Sequence, residues 1–201
     1  MKRIFVLLGI VAFITFSCEK DELRKGPPDG VPKGGNVENF DLRAPQAAPA
    51  PGDQSIAAIA IEAGFSELVG ALVFVDEELD AGLVDLFLDG TDQYTVFAPT
   101  NEAFEGLYEA LEIEEISDLP AELVLNVLLY HVVEGRRAAN SVVPPVRPRT
   151  ITTLFEGATF TVDRDALITD IAGQEVNIVV PNISASNGII HVIDAVLLPL
   201  E

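Results

Sequence analysis

The sequence predicts an α+β protein in which helices come first and a largely antiparallel sheet follows. Apolar residues between Gln54 and His131 recur at three- and four-residue spacing, whereas beyond Gly135 they alternate every second residue. One early segment, Tyr94 to Ala98, alternates like a strand in the middle of the helical half. Such segregation argues against a doubly wound parallel fold, and the early strand must return to join the later ones.

The first helix is predicted from Ile56, Ile59, Ala60 and Ala63, with Asp53 or Ser55 as its cap and Gly64 as its stop. Phe65, Leu68, Val69, Leu72 and Val75 form a second apolar stripe, with Ser66 near its start. A short third helix spans Leu83 to Leu88 before Asp89-Gly90 turns the chain. Tyr94-Thr95-Val96-Phe97-Ala98 then mixes β-branched and aromatic residues and is stopped by Pro99. Thr100 or Asn101 caps a helix carrying Ala103, Phe104 and Leu107. Ser117 or Asp118, with Pro120, opens a longer helix through Leu123, Val124, Val127 and Leu128, ending at Tyr130-His131. Strands are predicted for Thr150 to Phe155, Ala158 to Asp163, Ala166 to Ile171, Val176 to Val180 and Gly188 to Leu198. The last is almost continuously apolar, which suits a central strand buried on both faces, and Asp194 interrupts it and needs solvent or a partner.

At 201 residues, with a hydrophobic share of 49% and no Trp, the chain holds one folded domain with an aliphatic core. A formal net charge of -20 repels nucleic acid and anionic lipid, so neither polyanion is an expected partner. The same acidity leaves room for divalent cations to bridge surfaces, beside its plainer role in solubility.

The N-terminus reads as an address. Lys2 and Arg3 precede an apolar run from Ile4 to Ile14, short for a bilayer span and suited to a signal peptide. Thr15-Phe16-Ser17-Cys18 resembles a lipobox, with Ser17 fitting the position before the cut while Thr15 and Phe16 depart from the usual residues. Cys18 is the sole cysteine, so within one chain it has no disulfide partner, and acylation (diacylglyceryl plus palmitate) is its expected fate. Glu19-Lys20-Asp21-Glu22 resembles a sorting signal for surface-displayed lipoproteins; an outer-membrane location with the domain outside is expected, a periplasm-facing one being the alternative. Pro, Gly and Ala dominate from Leu23 to about Asp53, the composition of a semi-extended tether. The organisation is therefore signal peptide 1–17, lipid-anchored tether 18–53 and folded domain 54–201.

Motifs for catalysis are missing: there is no Gly-x-Ser-x-Gly elbow, phosphate-binding loop, dinucleotide fingerprint or His-Glu-x-x-His helix. Asp163, Asp165 and Asp170 lack an EF-hand pattern and read as a hairpin tip, so no metal or cofactor is expected. Glu112, Glu114 and Glu115 read as a solvated helix face, and Asn182-Ile183-Ser184 as an incidental glycosylation sequon. His131 and His191, the two histidines, are flanked by apolar residues, where an imidazole serves mainly to satisfy buried backbone groups.

Three blocks together resemble the fasciclin (FAS1) domain family: Thr95 to Phe104 (Thr-Val-Phe-Ala-Pro-Thr-Asn-Glu-Ala-Phe), Tyr130 to Gly135 (Tyr-His-Val-Val-Glu-Gly) and Asn187 to Pro199. The resemblance covers about Gln54 to Leu200. It implies a wedge of strands against a helical layer, and it makes Tyr130 and His131 adhesion candidates, since that region is implicated in integrin adhesion in the family. The expected function is a lipid-anchored, non-enzymatic adhesion module meeting other cells, matrix or surface polysaccharide. Two alternatives stand beside it. One is an envelope structural protein acting by homotypic contact, which at this net charge would need cations or salt. The other is a small-ligand binder or enzyme with a pocket near His131.

Overall fold

The computed structural model describes residues 49–199; the segment expected to be signal peptide (1–17) and most of the expected tether, Cys18 included, lie outside the described residues. Helix α1 (Ile56–Glu62) starts at Ser55, whose hydroxyl accepts from the Ala58 amide at 3.3 Å, so Ser55 rather than Asp53 is the cap. Gly64, at φ +78°, reverses the chain into α2 (Ser66–Leu79), which buries Leu68, Ala71, Leu72 and Val75. The next helix, α3 (Leu83–Leu88), is capped from outside: both carboxylate oxygens of Asp76 in α2 accept from Leu83 and Val84 amides at 2.8 Å. Strand β1 (Tyr94–Pro99) leads into α4 (Asn101–Leu111) through the Thr100 cap. Ser117 and Asp118 do not cap the following helix. They form a separate 3-10 turn (Ile116–Asp118), where Asp118 accepts from the Glu114 and Glu115 amides, and α5 (Ala121–Tyr130) begins after Pro120. Glu114 and Glu115 consequently lie in an exposed loop and not on a helix face, with Glu112 in the left-handed cap of α4.

The remaining elements are β2 (Val132–Glu134), the single turn α6 (Ala139–Val142), β3 (Arg149–Thr152), β4 (Thr159–Val162), β5 (Leu167–Thr169), β6 (Glu175–Ala185) and β7 (Gly188–Ile193). They form one seven-stranded sheet in the order β2-β1-β7-β6-β5-β4-β3. All neighbours are antiparallel except β1 and β7, which run parallel from Tyr94 opposite Gly188 to Pro99 opposite Ile193. The early strand thus joins the sheet beside the last one, and β7 is buried along its whole length. It is shorter than predicted. Beyond Ile193, both carboxylate oxygens of Asp194 accept from Asn177, from its main-chain and side-chain nitrogens at 2.8 Å.

Alternation along β1 and β7 divides the interior in two. Val96, Ala98, Ile190 and Val192 face the helices, while Phe97 and Ile193 face a second core with Ile151, Phe160, Val162, Ile168 and Val176. The second core exists because the sheet curls. The chain beyond β3 comes back against β2, where the Leu154 amide donates to the Val132 carbonyl at 2.8 Å. Strand β6 bends with it, through register shifts between Ile178 and Ile183 that accommodate Pro181 and put Asn182 at φ +63°. The sequon asparagine is therefore a bulge residue, its side-chain oxygen accepting from the Ala139 amide at 2.8 Å.

The folded body begins a few residues before the boundary at 54. The Gly52 amide donates to the Ala185 carbonyl and the Ser186 amide to the Gln54 carbonyl, while the Arg136 guanidinium spans the carbonyls of Ala50 and Ala185. Burial lowers the pKa of that guanidinium from its ordinary value. The chain therefore enters the body as a strap laid on the β6–β7 hairpin.

Asn187, in the turn between those strands, ties two distant helices to the sheet through its side chain. Its side-chain oxygen accepts from the Ile56 amide at the start of α1, at 2.8 Å, and its nitrogen donates to the Phe87 carbonyl in α3, at 3.0 Å. The residue is 3% exposed, so neither group it satisfies has water as a substitute. Asn187→Ala is expected to lower stability by about 2–4 kcal/mol, the cost of two buried backbone groups left unpaired, read from urea unfolding midpoints. A change within a few tenths of a kcal/mol would mean the tie is dispensable.

Candidate functional site

The Tyr130-His131 pair sits where α5 passes directly into β2, and this sharp junction sends consecutive side chains to opposite cores. Tyr130, 0% exposed, enters the second core, where its ring meets Phe160 edge-on at 6.0 Å. Its hydroxyl donates to the Thr159 carbonyl at 2.9 Å and accepts from the Ile171 amide at 3.1 Å, and burial raises its pKa. His131, 3% exposed, turns toward the helices. Its Nδ1 lies 2.7 Å from the Val127 carbonyl and its Nε2 accepts from the Leu197 amide at 2.9 Å. A carbonyl requires a proton on Nδ1 and an amide requires a lone pair on Nε2, so the surroundings select one neutral tautomer.

His191, on β7, repeats the arrangement with the nitrogens exchanged. Nε2 faces the Arg137 carbonyl at 2.9 Å, Nδ1 accepts from the Asn182 amide at 3.3 Å, and the ring lies 5.4 Å from Phe97. Burial lowers the pKa of both imidazoles to about 4, against the smaller opposing effect of a backbone carbonyl at each. Each ring brackets two main-chain segments, and neither has a nitrogen left for a substrate.

Two cavities flank His131 inside the helical layer, separated by its ring together with Leu68 and Leu128. The smaller, about 30 Å³, lies between α2, α4 and α5. The larger, about 120 Å³, lies between α1, α2, α3 and α5 over Val96 and Val132. Every residue lining either one is apolar except His131. No carboxylate, hydroxyl or ammonium converges there, so the arrangement offers shape and dryness but no acid–base chemistry.

The acidic candidates are engaged elsewhere. Asp163 accepts from the amides of Asp165 and Leu167, forming the predicted hairpin tip. Asp170, buried, accepts from Gln174 and Leu198 amides and belongs to a separate tie between strand end and C-terminal segment. Among the described residues no three His, Cys, Asp or Glu side chains are grouped as metal ligands. No helix among them is long and apolar enough to cross a membrane. The alternative of a pocket near His131 meets these two cavities, whereas Asn187 as a tie and Asp76 as a distant cap were not read from the sequence. Tyr130 and His131, the adhesion candidates, are buried side chains that tie backbone segments together.

Several known proteins are similar to this chain. The protein sll1483 of Synechocystis sp. is 34% identical over 155 residues, covering 73% of this chain and 76% of its own length. The cell surface glycolipoprotein MPB83 of Mycobacterium bovis is 36% identical over 122 residues, covering 60% of this chain. The immunogenic protein MPB70 of the same species is 38% identical over 117 residues, covering 58%. This chain spans about half the length of these two mycobacterial relatives, 49% and 54%. Among solved structures, a FAS1 domain pair from the insect cell adhesion molecule Fasciclin I aligns with TM-score 0.48 and 19% identity, covering 65% of this chain and 45% of that one. The model of the Fasciclin domain matches residues 63–199, more than half of the sequence and all of the sheet, and on that match the chain belongs to the fasciclin domain family.

Proposed function

We propose that this chain is a non-enzymatic adhesion module, tied to the outer membrane through acylated Cys18 and presented on the cell surface to other cells, matrix or polysaccharide. One observation carries the reading within the family: the two histidines inside its signature blocks are locked as neutral brackets between backbone segments, which leaves the exterior as the working part. The name of MPB83, a cell surface glycolipoprotein, supports surface attachment by similarity. Tyr130 and His131 then serve adhesion by holding the α5–β2 junction in shape, since both are buried.

Fractionation and protease shaving of intact cells test this together. Wild type is expected in the outer-membrane fraction with its domain removed by protease, and Cys18→Ser is expected to be released into the soluble fraction. A domain fully protected in intact cells, or membrane association unchanged by Cys18→Ser, overturns the placement.

A further inference from the structure

We propose that the larger cavity of the helical layer is a binding site for the end of an uncharged aliphatic chain. Its volume, about 120 Å³, is close to that of a dry engineered cavity of about 150 Å³ that takes up benzene. The lining is almost wholly aliphatic, from Ile56, Ala60, Leu72, Leu83, Val96 and Val132, with Phe87 as its one aromatic ring. Water gains little there. A buried water needs two to four polar partners, and His131, the one polar residue of the wall, already has both ring nitrogens on backbone groups.

The site also has a way in. Ile61, 62% exposed, and Val73, 40% exposed, line the same cavity from α1 and α2, so the pocket opens to solvent at an apolar rim. A chain entering here buries its tip against the core and continues outward between the two helices, its polar end staying outside. The net charge of -20 disfavours an anionic head group, which selects alcohols or esters over carboxylates. The site is independent of the anchoring of the chain, because the folded domain contains all of it.

Methyl NMR of the folded chain with n-alkanols tests the assignment. Methyl shifts are expected at Ile56, Leu72, Val96 and Val132 and not at Val162 or Ile168 in the second core. Affinity should rise about four-fold per added methylene until the cavity is full, then level off. Octanoate should bind at least ten-fold more weakly than octanol. Ala60→Leu, which fills the space, should weaken octanol by at least ten-fold, whereas Leu72→Ala, which enlarges it, should prolong the four-fold rise to longer chains. If Ala60→Leu fails to fold, Leu72→Ala and the chain-length series still decide. Shifts confined to Ile61 and Val73, or an affinity indifferent to chain length, would show adsorption to the rim and overturn the proposal. Benzene binding more tightly than hexanol would overturn the choice of an aliphatic ligand.

Discussion

Gly188→Ala is expected to abolish the folded domain. A methyl group at residue 188 would stand 2.1 Å from the Tyr94 carbonyl oxygen and 2.7 Å from the Ile56 side-chain tip. The first contact is with backbone that has nowhere to go, because Tyr94 is the opening residue of the parallel β1–β7 pairing and lies opposite Gly188 itself. Moving it would also shift the Tyr94 amide, which donates to the Asn187 carbonyl at 3.1 Å, and hence the turn that holds α1 and α3. Overpacking typically costs about 1–3 kcal/mol where side chains can give way. Here the obstacle is main chain paired with β2 on one side and β7 on the other, so a loss above about 4 kcal/mol is expected, a large part of the total for a domain of this size. Gly106→Ala is the matched control. It lies exposed in α4 with nothing within 4 Å of an added methyl, and should raise stability by up to about 1 kcal/mol. Circular dichroism with urea unfolding of both variants decides. A well-folded Gly188→Ala protein with a near-native midpoint would show that the strand pair can part at low cost.

Much of this architecture was legible because its local signals agree with its global ones. The third helix was bounded correctly from Leu83 to Leu88, and the β1 alternation and the choice of Thr100 or Asn101 as cap, of which Thr100 is the one, were carried by short-range chemistry. The turn expected at Asn187-Gly188 lies at Ser186-Asn187, and Gly188 opens β7. What escaped was non-local. Strand β2 is three residues long directly after a helix, too short to display a period, and is a strand only because β1 lies alongside it. Strand β6 is predicted only from Val176 to Val180, whereas a bulge around Pro181 lets the strand run on to Ala185. The cap of α3 comes from Asp76 seven residues upstream, at a spacing no capping rule scans.

The site was legible in part, for the same reason. That His131 and His191 would satisfy backbone followed from their apolar neighbours, since a buried imidazole without partners is costly. Which carbonyls and amides they meet did not follow, because Leu197 is 66 residues from His131 and Arg137 is 54 from His191. A pocket near His131 was an alternative in the sequence, but its size and walls were not legible because a void is a property of packing: Leu68 and Leu128 have the same helical spacing whether or not space remains between them.

Acid should destabilise this domain through its histidines, in opposition to its overall charge. Each imidazole has a folded pKa of about 4 against an ordinary value of 6.5, because burial disfavours the cation. Between those values the unfolded chain binds more protons than the folded one, so stability rises with pH across the window. The contribution is complete above about pH 6.5 and is lost as pH falls toward 4, by on the order of 2–3 kcal/mol per histidine at pH 4.5. Protonating either ring would also set an N–H against the donor it now receives, Leu197 N for His131 and Asn182 N for His191. Surface charge pulls the other way, since a body at -20 with a pI near 4.2 loses its self-repulsion on acidification. Exposed like charges in high dielectric are screened by salt, whereas the imidazoles are enclosed, so the histidines should prevail at 0.15 M salt. Urea midpoints at pH 7 and pH 4.5 are expected to fall on acidification, and His131→Gln or His191→Gln should lower the pH 7 midpoint while flattening the slope. Histidine ring resonances in the folded wild type should stay at their neutral positions down to pH 5. Titration of either ring near pH 6.5, or a midpoint that climbs steadily toward the isoelectric point, would show that the two brackets open readily to water.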